Sequence, residues 1–250
     1  MRRDELVSYL DDFLHLSEVP DESLNGLQVE GRGEVNRVAL AVDASLAAFR
    51  QARKEEVDFL IVHHGLFWGK VYPLIGAHYH RIKELIEGGI SLYAAHLPLD
   101  IHPEVGNNAR IAKLLSLSPV RMFGDYHGVL VGVVAETGSP IAREEMAALV
   151  NERVGKNPLL LPFGSPEVSR VGIVSGRAPE LVEDAVKASC DLFLSGEPSH
   201  AHYHLARELG INCIFAGHYA TEKWGVLALG ERIKERFSLE VLFIDLPTGL

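Results

Sequence analysis

Cysteine is scarce in this chain. Only Cys190 and Cys213 occur among 250 residues, each inside an apolar run. So small a supply excludes a disulfide scaffold, and without a C-x-x-C pair it offers no thiolate metal site. Both read as small buried hydrophobes in a reducing compartment. Long apolar runs are missing too: no window approaches the ~20 consecutive apolar residues of a membrane span. The opening MRRDELVSYLDDFL follows its two arginines with acids instead of an apolar leader core, and predicts an amphipathic helix. The expected location is therefore the cytoplasm. Positive charge is the third shortage, with 24 Lys and Arg against 34 Asp and Glu, a formal −10. Phosphate backbones are held by basic surfaces, so this balance argues against nucleic acid as the partner. Low-complexity stretches and flexible linkers are also lacking.

What remains is an ordinary globular balance, 47% hydrophobic and 23% charged, able to bury a core without crosslinks. Histidine is the exception, at twelve residues, many in tight groups. Strand-like runs at 38–45, 58–64, 90–96, 129–136, 170–176, 191–197, 212–218 and 239–245 are β-branched and bounded by turn residues. Helical candidates fill 45–56, 78–88, 106–116, 140–154, 178–189, 199–209 and 221–236. This alternation predicts an α/β protein whose sheets are covered by helices.

An internal repeat runs through it. The segment from Arg37-Val38 to Gly65 aligns without gaps on that from Arg170-Val171 to Pro198, and places Asp58 over Asp191. HYHRIKEL (78–85) then matches HYHLAREL (202–209), and YAAH (93–96) matches FAGH (215–218), each followed four residues later by an acid, Asp100 or Glu222. We read two related halves, each a β-α-β-α-β unit. In such sheets ligands gather outside the carboxyl ends of the strands, so halves that face one another would make one cleft.

The strand-end residues are His63 and His64, His96 and Asp100, and His218 and Glu222, with Glu197 in the place of His64 in the second half. One histidine at a strand end is ordinarily structural. Three such ends, two with an acid in step, form a pattern of the donors that divalent metals need. Neighbours on a strand point to opposite faces, so His63 and His64 can act together only where the strand ends, and Gly65 permits a turn there. Three imidazoles and two carboxylates exceed the three ligands usual for one catalytic zinc. They suit two ions with a bridging carboxylate. The HYH residues of the helices read as a polar face, and Asp43 reads as a partner of a ligand or as a helix N-cap. The segment around Gly155-Lys156-Asn157 lacks the spacing of a phosphate loop, and no G-x-S-x-G marks a serine hydrolase.

SLNGLQVEG (23–31), FLIVHHGLFW (59–68), AAHLPLDI (94–101) and FAGHYATE (215–222), in this order, resemble the GTP cyclohydrolase I type 2-like family, also called NIF-three-like after an NGG-interacting factor. The resemblance spans nearly the whole chain. It implies two metals on His63, His64, Asp100, His218 and Glu222, with Glu222 bridging, His64 and Asp100 favouring one ion and His63 the other. It also implies two interlinked α/β lobes with the metal cleft between them, and a ring-shaped homohexamer with inward-facing sites. The lobes are expected over 1–122, with about 221–250 packing back on it, and over 123–220. The middle motif departs from the family's H-T-N-L-D, reading His96-Leu97-Pro98-Leu99-Asp100. His96 is the disputed residue: the repeat equates it with His218, while the family does not count it as a ligand. Two functions are compatible with this pattern. One is a metal-dependent hydrolase of a nucleotide-like or phosphorylated small molecule, and the other is a metal-stapled scaffold or regulator without catalysis. Zinc, manganese, iron, cobalt and nickel all suit the donors.

Overall fold

The computed structural model describes residues 1–70 and 72–250. The chain forms two units: Met1–Leu99 with Gly225–Leu246, and Asp100–Trp224 with Pro247–Leu250. The first contains α1 (Arg3–Phe13), β1 (Gly26–Val29), β2 (Arg37–Asp43), α2 (Leu46–Lys54), β3 (Phe59–His64), α3 (Gly76–Gly88), β4 (Ser91–Ala94) and, from the far end of the chain, β11 (Glu240–Phe243). Its sheet runs β1-β4-β3-β2-β11. All neighbours are parallel except β1, which pairs antiparallel with β4. The strands are apolar on both faces because both are covered. Leu60, Val62 and Leu92 pack in one core with Phe49 of α2 and Leu85 of α3.

The second unit follows α4 (Leu97–Asp100), which crosses the border. It holds α5 (Asn107–Leu114), β5 (Ser118–Tyr126), β6 (Val129–Ala142), α6 (Arg143–Arg153), β7 (Leu159–Leu161), β8 (Glu167–Ile173), α7 (Val182–Lys187), β9 (Leu192–Ser195), α8 (His200–Leu209) and β10 (Asn212–Phe215). The helix α9 (His218–Phe237) begins in this unit and ends in the first. The strand order is β5-β6-β8-β9-β10-β7. Ile111 of α5 and Met146 and Val150 of α6 share a core with Val171, Leu192 and Ile214. Cys190 and Cys213 are buried, and burial pushes their thiols up to about 11 and about 12. They are inert packing residues at neutral pH.

Each strand and helix expected from the sequence forms, and the fold is α/β with two helix-covered sheets. The strands not foreseen are β1, β5 and β7, and each lies at the edge of a sheet. Edge strands carry little of the continuous apolar signal. β5 includes Pro119 and Gly124 and is exposed over its first half, and β7 is three residues long.

The repeat is structural down to single hydrogen bonds. Val38 pairs with Phe59 in the first sheet, and the aligned Val171 pairs with the aligned Leu192 in the second. Asp58 Oδ2 accepts from the backbone of Asn36 and Arg37 at 2.9 and 3.2 Å. Its counterpart Asp191 accepts from Ser169 and Arg170 at 2.9 and 2.8 Å. The correspondence reaches the edge strands: Gly31 N donates to Ser91 Oγ, and Gly164 N donates to Asn212 Oδ1. Each aspartate thus satisfies two amides at the entry to the central parallel strands, one in each unit. Asp58→Ala is expected to cost about 2–3 kcal/mol, because it also strands Arg32. Asp191→Ala is expected to cost about 1–2 kcal/mol. Denaturant unfolding of the two variants checks both the size and the order.

Candidate metal centre

In the first unit, three imidazoles stand at the carboxyl ends of β3 and β4. His63 is fully buried, and its Nδ1 lies 2.9 Å from the Ala95 carbonyl. A carbonyl can only accept, so the proton of the neutral ring sits on Nδ1 and Nε2 is left as the donor atom for a metal. His64 is the last residue of β3, and its Nδ1 is 2.8 Å from Asp43 Oδ1 on the adjoining strand. Asp43 is therefore an imidazole-orienting residue; the N-cap of α2 is Ser45, whose Oγ accepts from Ala48 N. The rings of His63 and His64, the last two residues of β3, are 4.6 Å apart. Gly65 is needed for close approach instead of a positive φ: a Cβ there would stand 2.7 Å from Ala94 Cβ and collide with the Gln28 side chain.

His96 joins them. One ligand atom from each of His63, His64 and His96 lies within 4.8 Å of the others, a group able to hold a metal ion. The Nδ1 of His96 is 3.1 Å from both oxygens of Asp21. Asp21 also accepts from Ser23 N, Asn25 Nδ2 and Leu97 N at 2.9–3.0 Å, and Asn25 Oδ1 takes the His96 amide. This knot explains why SLNG belongs to the pattern. Burial alone would raise the Asp21 carboxyl, but His96, Asn25 and Ser23 outweigh it and hold it at about 2. The Trp68 ring closes edge-on against His96 at 4.9 Å.

The second unit brings together the acids. His218 is the first residue of α9, its Nδ1 lies 2.6 Å from Glu197 Oε1, and its Nε2 lies 2.9 Å from Glu222 Oε2 one turn along the helix. Two donor atoms so placed are about as far apart as neighbouring ligands on bonds of about 2.1 Å. Glu222 packs on Gly176, which has φ +64°, and any Cβ at that position would overlap Glu222 Oε1. On the preceding residue, Ser175 Oγ donates to Asp100 Oδ1 at 2.9 Å, and Asn107 Nδ2 donates to the same oxygen at 2.8 Å. Asp100 and Glu222, 7% and 3% exposed, thus sit on either side of one turn. Burying carboxylate oxygens is costly unless donors meet them, and Ser175 and Asn107 meet those of Asp100.

Symmetry between His96 and His218 does not survive the backbone. Ala95 N bonds Val62 O, and Ala216 N bonds Ser195 O, where Val62 and Ser195 are aligned residues. His96 therefore matches Gly217, and His218 matches Leu97, each of the latter pair opening a helix. The alignment of YAAH on FAGH is out of register by one residue. Several residues escaped the sequence reading: Asn107, Asn108, Ser175, Gly176, Thr221 and Asp21. Their one signal was polarity: Asn107-Asn108 are fully buried at the start of α5, and Asn108 ties Ser175 N to the Val131 carbonyl.

Against this geometry, residues 1–249 match the family described as Duf34/NIF3 (NGG1p interacting factor 3). The chain belongs to that family. It is 47% identical to a GTP cyclohydrolase 1 type 2 homolog of Pyrococcus horikoshii, covering 100% of both chains. It is 43% identical to the protein of the same description from Deinococcus radiodurans, covering 99% of this chain and 94% of that one. The crystal structure of TTHA1606 from Thermus thermophilus superposes with a TM-score of 0.91 at 47% identity, covering 100% of each chain. This Duf34/NIF3 member thus carries His and acidic side chains that could bind metal at the strand ends of both units. Among the described residues no helix is long and apolar enough to cross a membrane.

The Asp21 knot yields a pH dependence. Its carboxyl is lowered from 3.8 to about 2 on folding, so the folded chain takes up this proton later than the unfolded chain does. The resulting stability is fully present above about pH 4 and is lost as the pH falls through about 2. Asp21→Asn is expected to lower stability by about 2 kcal/mol at pH 7 and by much less at about pH 2. Unfolding curves at the two pH values test this, and an equal loss at both would assign the effect to packing alone.

Proposed function

We propose that this chain holds two divalent ions on His63, His64, Asp100, His218 and Glu222, with Glu222 as the bridge, and works as a metal-dependent hydrolase on a nucleotide-like or phosphorylated small molecule. One observation carries the reading. His63, His64 and His218, like His96, each commit Nδ1 to an oxygen acceptor, which would turn Nε2 toward a metal, and the family pattern counts the first three as ligands. A histidine kept only for packing needs no such common tautomer. The two carboxylates complete a mixed N and O donor set, which fits zinc, manganese, iron, cobalt or nickel.

When bound, such ions supply Lewis acidity, polarising a substrate oxygen and lowering the pKa of water. The protein's own share is orientation. Ala95 O, Asp43 and Glu197 fix the three rings, and Ser175 and Asn107 hold Asp100 in one rotamer. His96, pinned by Asp21 and packed edge-on with Trp68, lies beside His63 and His64 as an aromatic wall. The nucleotide-like substrate class rests on the name carried by the Pyrococcus and Deinococcus relatives. The ring implied by the family resemblance, six chains with their sites facing inward, supplies the shelter from bulk water that such chemistry uses.

Elemental analysis of protein purified without chelator is expected to approach two first-row metals per chain. A value at or below one after reconstitution refutes the dinuclear site. His218→Ala is expected to lose metal more severely than His96→Ala.

Glu222→Gln keeps the shape of the side chain but removes its charge, so two cations across a short gap lose their partial neutralisation. The variant is expected to stay folded, to bind one ion, and to lose hydrolysis of nucleotides and phosphoesters. Activity that persists without the second metal defeats the two-ion mechanism. A wild type that turns over no substrate, with metals showing no exchangeable water, favours the metal-stapled scaffold instead.

A further inference from the structure

Two tryptophans occur in the chain, and they are placed differently. Trp224 packs against the core of the second unit. Trp68 lies on the loop just beyond the strand-end histidines of β3 and is only half-buried. Its neighbour Phe67 turns to the core of the first unit. The Trp68 ring meets imidazoles instead, edge-on to His96 at 4.9 Å and tilted to His64 at 6.0 Å.

This ring is anchored from two sides. Its Nε1 donates to the Gly65 carbonyl at 2.9 Å, which sets its direction and satisfies its one polar group. Its backbone bridges to Ser23, and Leu24 N donates to the Phe67 carbonyl at 2.9 Å. The same short segment supplies Asp21, whose carboxylate pins His96, and Asn25, whose Oδ1 takes the His96 amide. Residues 21–25 therefore clamp both rings of the wall at once. Core packing alone does not account for a clamp on a ring that stays half in solvent.

What remains for Trp68 to offer is π surface, since it brings no charge and its N–H is engaged. A phosphate finds nothing there. A flat heteroaromatic ring does, and stacking tolerates any base because every base has a π-face. A ring already fixed in direction also loses little rotamer freedom when a ligand stacks on it. Its place matters as well: it stands beside His64, a proposed ligand, so a base stacked on it would lie next to the metal donors.

We propose that Trp68 is the stacking residue for a heteroaromatic ring of the substrate, and that it selects nucleobase-bearing phosphates over phosphorylated sugars. The inference rests on the hydrolase reading and deepens it by assigning the side chain that recognises the ring. The full chain loaded with zinc tests it. In Trp224→Phe, Trp68 is the one remaining tryptophan, and GMP or AMP is expected to quench its emission saturably while ribose 5-phosphate leaves it unchanged. In calorimetry, Trp68→Leu is expected to weaken GMP binding about tenfold or more, with metal content and the affinity for ribose 5-phosphate unchanged. Trp68→Phe, which keeps a smaller ring, is expected to fall between the two, and it decides if the leucine variant fails to fold. GMP binding unaltered by the substitution, or equal losses toward GMP and ribose 5-phosphate, overturns the proposal. A wild type that binds neither GMP nor AMP overturns it too. Hydrolysis of sugar phosphates as efficient as that of nucleotides overturns the stacking role and leaves the hydrolase reading intact. Saturable quenching in a protein that holds one metal supports the stacking role while refuting the dinuclear site.

Discussion

Which nitrogen an imidazole can offer a metal, and in which direction, is set by the partner of its other nitrogen. That constraint organises the ends of the central strands in both units. β2 exists at its full length to deliver Asp43 beside His64. The turn after β4 places the Ala95 carbonyl on His63, and the turn after β9 places Glu197 on His218. Asp43 is fixed by the parallel ladder, and Ala95 and Glu197 by backbone bonds to Val62 and Gly176 just beyond it, so the acceptors that set the ring directions are held by the sheet or its immediate turns. Hydrogen-bonded acids next to strand-end histidines are therefore a better sign of a metal site than the histidines themselves.

Much of this is legible in the sequence, and the parts that are not share a cause. The central strands and their helices announce themselves because burial on both faces demands unbroken apolar runs. The repeat is visible for the same reason, and its most informative residues are the matched aspartates, Asp58 and Asp191, not the matched apolar ones. β1, β5 and β7 are illegible because an edge strand needs neither apolar face nor length. The alignment of His96 with His218 misleads by one residue, since a histidine preceded by a small apolar segment looks alike whether it precedes a helix or begins one. Only the backbone partners of Ala95 and Ala216 separate the two cases. Asp21 is invisible for a different reason: its importance lies in joining the local donors Ser23 N and Asn25 Nδ2 to His96 and Leu97 some 75 residues on, which no local pattern can display.

The family departure in the middle motif has a physical reading in the same geometry. Where the family commonly has Thr and Asn between the histidine and the aspartate, this chain has Leu97, Pro98 and Leu99. Leu97 and Leu99 are buried, and the hydrogen bonds to Asp100 come instead from Asn107 and Ser175. The Leu97 backbone amide serves Asp21. Polar side chains within the motif are thus dispensable here for holding the acid, because the support arrives from α5 and from the turn after β8.

The two units use one repeat to different ends. At the position shared by His64 and Glu197, the first unit has a proposed ligand and the second has the acid that orients one. The first collects imidazoles, and the second collects buried carboxylates on either side of Ser175-Gly176. Such a division has an electrostatic logic. Two buried carboxylates are costly together without a cation, whereas neutral imidazoles carry no such penalty. The same divergence of matched positions appears on the surface, where Phe163 packs edge-on against Tyr203 while the matching residue Glu30 pairs with Arg3. In both places the scaffold is the constant and the side chain at a matched position decides what that unit does.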